Sequence, residues 1–285
     1  MMDSNAIEVQ NLSFRYPDKT LALQNVSFTI KSGECVGLIG PNGAGKSTLF
    51  QILMGFLEPT QGTIHILNQE LNKKTKKQIR KKIGLVFQDP NDQLFSPTLW
   101  EDVAFGPFNL GYSRDEINRR VEKTLESLGM ATLKNKAPHY LSFGEKKKAA
   151  IATILSMDPE IIFLDEPFSN LDPESYTDIL QIVQAYRKKG LTIVVATHDV
   201  DVLPDLVDKC ILLDKGEMIA ERNVREILND YDLLAHHKMR MPLPGLLFHN
   251  LRKRNIIQNP QLPLTLEEAE SLIAQLLNSR WSTHS

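Results

Sequence analysis

A glycine-rich stretch has the residue types and the spacing that bind phosphate groups. Residues 40–47 read Gly-Pro-Asn-Gly-Ala-Gly-Lys-Ser, after an almost continuously apolar run at Glu34–Gly40 that predicts a buried strand. Glycines permit the tight turn in which backbone N–H groups point at phosphate oxygens, and a helix predicted from about Lys46 to Met54 adds the positive end of its dipole. Lys46 is predicted to reach the β- and γ-phosphates of a nucleotide, and the hydroxyl of Ser47 to ligate Mg²⁺. A glycine-rich turn without a ligand is the alternative.

Two adjacent carboxylates follow a second apolar run. The sequence at Ile161–Leu164 predicts a buried strand, and Asp165 and Glu166 come directly after it. Because a strand that delivers a carboxylate beside a phosphate loop holds Mg²⁺ in this class of site, Asp165 is predicted to act through the metal. Glu166 is placed to orient or deprotonate the water that attacks the γ-phosphate. Taken alone, two acids after a strand are an ordinary solvated strand end, but their pairing with the phosphate loop favours catalysis.

Further motifs follow in an order that resembles one known family. They are Gln88 within Val-Phe-Gln-Asp-Pro, Leu141–Glu145 at the start of a predicted helix, Ser169–Asp172, and His198 after a predicted strand. With the phosphate loop and the two carboxylates, they resemble the ATPase subunits of the ATP-binding cassette (ABC) family over about residues 6–220. In that family they are the glutamine loop, the signature, the D-loop and the switch histidine. A lone histidine or glutamine would be an ordinary structural or surface residue, so the resemblance depends on order and spacing.

The resemblance implies which residues bind ATP and which act on it. Tyr16 would stack on adenine, or else be a half-buried strand residue, while Ser142 and Gly144 would contact the γ-phosphate held by a second subunit. The implied nucleotide-binding set is Tyr16, Asn42, Gly43, Ala44, Gly45, Lys46, Ser47, Thr48, Ser142 and Gly144. The implied Mg²⁺ ligands are Ser47, Gln88 and Asp165, and the implied catalytic residues are Glu166, His198 and Gln88.

The signature departs from the family pattern at two positions. Phe143 replaces its first glycine and Glu145 replaces its glutamine, while Ser142 and Gly144 remain. Phe143 leaves the backbone donor available if its side chain points away from the nucleotide. Glu145 brings a negative charge close to a triphosphate, which is unfavourable unless it faces a neighbouring lysine or solvent.

A finer resemblance covers Gln88–Pro97 and Glu101–Pro107. These stretches are similar to the ATPases of energy-coupling factor importers, in the cobalt-type branch, which carry a C-terminal extension involved in dimer contacts. Residues 221–285 look like that extension. The resemblance implies a second ATPase subunit (a homodimer is favoured over a heterodimer), an integral-membrane coupling subunit and a substrate-binding membrane subunit. It also implies a peripheral position on the cytoplasmic face of the cell membrane, and cobalt, nickel or a vitamin as cargo.

The positions of these motifs predict an α/β fold with a P-loop NTPase core and a mainly parallel sheet, because strands and helices alternate along the chain. The runs Ile7–Tyr16 and Leu21–Ile30 predict an N-terminal antiparallel β subdomain. A helical subdomain is expected to be inserted at about residues 97–157. The predicted domains are residues 1–220, the ATPase domain, and residues 221–285, the C-terminal extension, which ends in an amphipathic helix capped by Thr265.

Composition limits the remaining functions. The chain has 285 residues and a net charge of −2, and no apolar run is long enough to cross a bilayer. Residues 73–82 carry seven basic side chains and no acid, which predicts a solvated helix face or, as the alternative, contact with anionic lipid or RNA. A soluble ABC ATPase that acts on ribosomes or nucleic acid is therefore the alternative function, although no nucleic acid partner is expected. A P-loop kinase would not need the signature, the D-loop or a second subunit.

Overall fold

Two β-sheets form the framework of the protein in a computed structural model that describes residues 4–258 and 261–281. The strands are β1 (Asn5–Arg15), β2 (Leu21–Lys31), β3 (Cys35–Ile39), β4 (Gln61–Ile66), β5 (Gln69–Glu70), β6 (Ile83–Val86), β7 (Ile161–Asp165), β8 (Thr192–Thr197), β9 (Lys209–Asp214) and β10 (Glu217–Asn223). Residues 1–3 and 282–285, the outer ends of the predicted domain ranges, lie outside the described residues.

The sheet topology confirms the predicted fold class. The first sheet has the strand order β2-β1-β4-β5 with antiparallel pairing, and the second has the order β10-β9-β3-β8-β7-β6. From β9 to β6 every pair in the second sheet is parallel, whereas β10, which the sequence analysis does not predict, pairs antiparallel with β9. The continuous apolar runs therefore form parallel strands that are buried on both faces, as expected.

The helices are α1 (Lys46–Leu53), α2 (Lys76–Ile79), α3 (Leu99–Leu110), α4 (Arg114–Ser127), α5 (Phe143–Leu155), α6 (Pro173–Lys188), α7 (Leu203–Leu206), α8 (Val224–Leu228), α9 (Tyr231–His236), α10 (Leu243–Lys253) and α11 (Leu266–Trp281). Helices α3, α4 and α5 lie between β6 and β7 in the chain and pack on one another, where the helical subdomain is expected. Helix α7 covers a single turn and has Pro204 as its second residue. Within the described ranges, no helix combines the length and apolar content needed to cross a membrane.

Apolar clusters cover both faces of the second sheet. In β3, Cys35 and Ile39 pack in the cluster that contains residues of α5 and α6, while Val36 and Leu38 pack with β1, β2 and α1. The two cysteines, Cys35 and Cys210, are free and buried, and burial raises the pKa of Cys35 to about 12. Because the sheet is held between two packed layers, the carboxyl ends of β3, β7 and β8 stay fixed at one edge.

Side-chain caps fix the starts of two helices. Ser113 caps α4 by accepting a hydrogen bond from the Glu116 N–H at 3.3 Å. The Glu116 carboxylate binds two arginines of the same helix, Arg119 and Arg120. Thr265 accepts a hydrogen bond from the Glu268 N–H at 3.2 Å, which confirms the predicted start of α11.

The apolar residues of α11 divide into two groups. Ala269, Leu272 and Leu276 pack against the core along a narrow stripe, at positions three and four residues apart, whereas Leu266, Ile273 and Leu277 are exposed to solvent.

Candidate nucleotide-binding site

The phosphate loop leaves the carboxyl end of β3 and turns sharply into α1. Gly40 has φ +151° and Gly45 has φ +105°, so both have backbone conformations that favour glycine. A Cβ atom would lie 2.1 Å from the Leu213 main-chain oxygen at Gly40, and 2.8 Å from the Ala22 oxygen at Gly45. The path of the loop therefore depends on these two glycines, and it places residues 42–48 around the amino end of α1.

Lys46 extends into the loop. Its side chain is buried, with 7% of its surface exposed, and Nζ donates to the main-chain oxygens of Gly40 at 2.6 Å and Pro41 at 3.2 Å. Burial lowers the pKa of Lys46, while the nearby carboxylates of Glu166 and Asp165 oppose that change. Phosphate oxygens that entered the loop would meet a cation already held inside it.

Ser47 and Asp165 bring a hydroxyl and a carboxylate together at the end of β7. Burial raises the pKa of Asp165, and the opposing influences are a hydrogen bond from Ser47 and the positive charge of Lys46. Hydroxyl and carboxylate oxygens suit Mg²⁺, and a buried carboxylate whose pKa is raised gains from a nearby cation. Since no three His, Cys, Asp or Glu side chains of the described chain form a metal-binding cluster, these residues fit a Mg²⁺ ion that also needs phosphate or water ligands.

Gln88 lies at the same sheet edge but is exposed. It follows β6 by two residues, and Val86 at the end of β6 pairs with Leu164 of β7, directly before Asp165. The parallel register therefore brings the glutamine loop beside Asp165 and Glu166, as the sequence predicts. No hydrogen bond among the described residues joins the Gln88 side chain to Ser47 or Asp165, so its place among the metal ligands stays a prediction.

Glu166 is the most constrained carboxylate of the site. It is 6% exposed, and its Oε2 accepts a hydrogen bond from the Thr197 hydroxyl at 3.0 Å. Its Oε1 accepts one from the His198 N–H at 3.1 Å and lies 2.7 Å from His198 Nδ1. The structure thus unites the predicted Glu166 and His198 by way of adjacent parallel strands, β7 and β8.

The signature forms a complete capping box at the start of α5. The Ser142 hydroxyl accepts a hydrogen bond from the Glu145 N–H at 3.2 Å, and the Glu145 carboxylate accepts one from the Ser142 N–H at 2.7 Å. Glu145 therefore faces its own helix end rather than a neighbouring lysine. Gly144 is buried against α6, where a Cβ atom would lie 1.9 Å from Ser175 Oγ. No hydrogen bond within the described chain joins Ser142 or Gly144 to the phosphate loop.

Tyr16 lies above the first turn of α1. Its hydroxyl is 3.0 Å from Thr48 Oγ1, and its ring meets the Phe14 ring edge to face, with centroids 4.9 Å apart. The structure therefore brings together Tyr16 and Thr48, two residues of the predicted nucleotide-binding set.

The C-terminal region contacts the segment that follows the switch histidine. The Arg240 guanidinium binds Asp199 at 3.3 Å and Asp201 at 2.5 Å, and the Leu243 N–H donates to Asp201 Oδ1 at 2.8 Å. The predicted extension is thus attached directly to the loop beyond His198.

Sequence reasoning missed two residues that contact Glu166. Thr197 is the last residue of β8, and its position next to His198 was a usable signal. Lys147 donates from Nζ to the main-chain oxygen of Glu166 at 2.7 Å. It is one of three consecutive lysines, and nothing in the sequence distinguishes it from Lys146 or Lys148.

Comparison with known proteins gives one consistent family. The ABC transporter profile matches residues 23–169. An energy-coupling factor transporter ATP-binding protein, EcfA, from Methanocaldococcus jannaschii is 44% identical over 253 residues, which are 88% of this chain and 91% of that protein.

Solved structures agree with the sequence comparison. CbiO1 from Clostridium perfringens, described as part of the ABC transporter complex cbiONQ, is 38% identical with a TM-score of 0.75, over 87% of this chain and 100% of that one. The cassette MJ0796, in a dimeric post-hydrolysis state bound to ADP and Pi, is 31% identical with a TM-score of 0.69, over 77% of this chain and 99% of that one.

Proposed function

Because the chain belongs to the ABC transporter family and is an ATPase subunit of the energy-coupling factor, cobalt-type branch, we propose that two such subunits hold two Mg-ATP between them. Hydrolysis would then drive an importer in the membrane. The observation that carries the proposal is the buried Glu166 carboxylate, which Thr197 and His198 hold at the sheet edge from which the phosphate loop also leaves. A carboxylate fixed there can orient or deprotonate a water at the γ-phosphate.

The predicted site residues take separate roles in this proposal. The backbone of residues 42–48 and Lys46 bind the phosphates, and Tyr16 stacks on the adenine. Ser47, Asp165 and Gln88 hold Mg²⁺, which when bound neutralises charge on the phosphate oxygens. His198 holds Glu166 through its Nδ1 atom. About half of the His198 side chain is exposed, and this exposed part of the ring contacts the γ-phosphate.

A second subunit completes each site. Ser142 and Gly144 start a helix whose positive end suits the γ-phosphate bound to the phosphate loop of the other chain. ATP drives closure because it binds the closed pair better than the open one. One chain carries Glu166, His198 and the signature, so two identical chains would form two complete sites, which favours a homodimer. The dimeric, ADP- and Pi-bound state of the similar cassette MJ0796 supports this arrangement.

An apolar groove beside the glutamine loop is the surface we assign to the membrane coupling subunit. The groove has a volume of about 460 Å³, and its aromatic side chains are Phe56, Phe87, Phe95 and Phe105. Phe95 is 67% exposed and Phe105 is 50% exposed, which is unusual for large apolar residues unless a partner covers them. An apolar helix of the coupling subunit would dock here and receive the movement of Gln88, which places the ATPase peripherally on the cytoplasmic face of the membrane.

The basic run at residues 73–82 gives little support to a nucleic acid partner. Arg80 donates to the main-chain oxygens of Met54 and Gly55 and lies over the Phe56 ring. Lys73 and Lys76 both pair with Glu58. Lys73, Lys76 and Arg80 therefore already have partners within the chain, and no other observation favours a ribosomal or nucleic acid function.

Replacement of Glu166 by glutamine tests the catalytic proposal. Glu166→Gln removes the charge that activates water but keeps hydrogen-bonding atoms for Thr197 and His198, so ATP should bind and remain. We expect ATP turnover to fall by at least about 100-fold. In the presence of Mg-ATP, the variant should elute as a dimer in size-exclusion chromatography. A variant that stays monomeric with Mg-ATP, or that keeps wild-type turnover, would refute the proposal.

Two exposed phenylalanines of α3 test the docking surface. Phe105 lines the groove, whereas Phe108 is more exposed and does not line it. Phe105→Asp should abolish co-purification with the integral-membrane subunits, while Phe108→Asp should leave it intact, and both should keep ATPase activity as isolated subunits. Equal behaviour of the two variants would place the contact elsewhere. Uptake of labelled cobalt, nickel and vitamins by the purified complex then identifies the cargo among the proposed candidates.

A further inference from the structure

Three consecutive lysines at the start of α5 have three different environments. Lys146 Nζ donates to Asn91 Oδ1 at 2.9 Å, which joins α5 to the glutamine loop. Lys148 Nζ donates to Asp178 Oδ2 at 2.6 Å, which joins α5 to α6. Lys147 lies between them and is 0% exposed. Its ammonium points inward and donates to the main-chain oxygen of Glu166 at 2.7 Å.

The main chain of Glu166 has an unusual conformation at this point. Its φ is +46°, in the left-handed region that a glutamate rarely adopts, so the surrounding structure has to hold it there. Its N–H donates to the Ala196 oxygen at 2.9 Å, and its carbonyl accepts from the Ser169 hydroxyl at 2.9 Å as well as from Lys147. These bonds hold the main chain of Glu166 in the conformation from which its side chain reaches Thr197 and His198, and Lys147 supplies one of them.

A buried ammonium is unfavourable for folding by itself. Desolvation lowers the pKa of Lys147 to about 8, and the charges of Glu166, Asp165 and Asp89 offset only part of that effect. A methionine or leucine would fill the same space without the cost of burying a charge. The charged group is thus explained better by what it does to Glu166 than by packing.

We propose that Lys147 is a positioning residue for ATP hydrolysis, because it fixes the main chain of Glu166 from the signature helix. The inference rests on the proposed role of Glu166. Helix α5 would then have two functions. Ser142 and Gly144 at its amino end would face the nucleotide of the second subunit, while Lys147 would hold Glu166 in the site of its own subunit. Any movement of α5 when the subunits close therefore changes the direction of Glu166 directly.

The experiment compares Lys147→Met with the matched variant Lys148→Met in the full chain. For Lys147→Met we expect kcat to fall about 10- to 100-fold, because a misdirected catalytic group costs that much. The KM for ATP, the binding of an ATP analogue and the Mg-ATP-dependent dimer should stay within twofold of wild type. The melting temperature should be equal or higher, since an apolar side chain replaces a buried charge. Lys148→Met should keep kcat within twofold, and Lys147→Arg, which keeps the donor, should recover most of the lost kcat.

Other outcomes would overturn the inference. A Lys147→Met kcat within twofold of wild type, or a loss matched by an equal loss of nucleotide affinity, would show that Lys147 does not position Glu166. If Lys147→Met does not fold, Lys147→Gln replaces it, because the glutamine side chain is polar but one bond too short to reach the Glu166 carbonyl. An unchanged kcat, or an equal loss of nucleotide affinity, would again contradict the inference. If the wild-type chain does not hydrolyse Mg-ATP, the proposed function and this inference fall together. If it does and only the Lys147 results fail, the inference alone is wrong.

Discussion

The phosphate-loop side and the signature side of the proposed composite site differ in how far the single chain completes them. On the first side, Lys46, Asp165 and Glu166 are all buried, with exposures of 7%, 8% and 6%. On the second side, Ser142 is exposed and its backbone N–H is already bound to the Glu145 carboxylate. The fold of the single chain therefore builds the first half, whereas the second half is a capped helix end that, in the proposed dimer, would change partners when a nucleotide binds.

The difference has a physical cause in the elements that carry each half. Parallel pairing of β3, β8 and β7 fixes the phosphate loop, Asp165 and His198 relative to one another. The amino end of α5 instead satisfies two of its own N–H groups, those of Ser142 and Glu145, through the capping box. In the proposed dimer, a phosphate that approaches from a second subunit would compete with the Glu145 carboxylate for the Ser142 N–H.

The largest effect is expected on the phosphate-loop side. Lys46→Ala removes the buried cation, so the charge-assisted hydrogen bonds to phosphate are lost and the Kd for Mg-ATP should rise by at least about 100-fold. Isothermal titration calorimetry measures the change directly. Lys82→Ala, which breaks a surface pair with Glu160, is the control and should bind as wild type does. If the Kd of Lys46→Ala for Mg-ATP stays within threefold of wild type, the phosphate-loop side is not the half that binds ATP in the single chain.

The next effect separates packing of the signature from nucleotide binding. Gly144→Ala places a Cβ atom 1.9 Å from Ser175 Oγ, and such overpacking should lower the free energy of unfolding by about 1–3 kcal/mol. The ATP-dependent dimer should weaken, while the Kd of the monomer for ATP should not change. The double variant Gly144→Ala with Ser175→Gly removes the clash and should restore both stability and dimer. If Gly144→Ala alone lowers ATP affinity, the two sides are not independent.

A smaller effect tests the competition between Glu145 and phosphate. Glu145→Gln keeps a capping-box residue but removes a negative charge near the incoming triphosphate, so the ATP-dependent dimer should tighten by roughly fivefold. The gain should shrink at high salt because the charge is partly screened. Glu116→Gln, which alters the corresponding position of α4, should leave the dimer unchanged. A weaker dimer for Glu145→Gln would show that Glu145 assists the signature.

The sequence predicted the phosphate-loop side well because its geometry depends on glycine positions and on strands with continuous apolar runs. It also placed Asp165, Glu166 and His198 at one sheet edge, because parallel strands share that edge. It did not predict the bonds of Glu145 and Lys147, since a run of polar residues at a helix start does not show which side chain turns inward. Nor did it predict β10 or helices α8 to α10. Strand β10 and helices α8 and α9 have only seven, five and six residues, too few to show an apolar period, and α10 begins among prolines, at Pro242 and Pro244.

The smallest effect concerns the attachment of the C-terminal region to the phosphate-loop side. Arg240 binds Asp199 and Asp201 just beyond His198. Because these ion pairs are exposed, Arg240→Ala should lower the free energy of unfolding by no more than about 1 kcal/mol. It should nevertheless reduce kcat a few-fold. Arg222→Ala is the matched control, because it breaks an equally exposed pair with Asp230 within the same region. It should change stability by a similar amount and leave kcat unaltered. Chemical denaturation and steady-state ATPase assays separate the two variants, and equal kcat values would mean that the C-terminal region stabilises the chain without influencing the loop that carries His198.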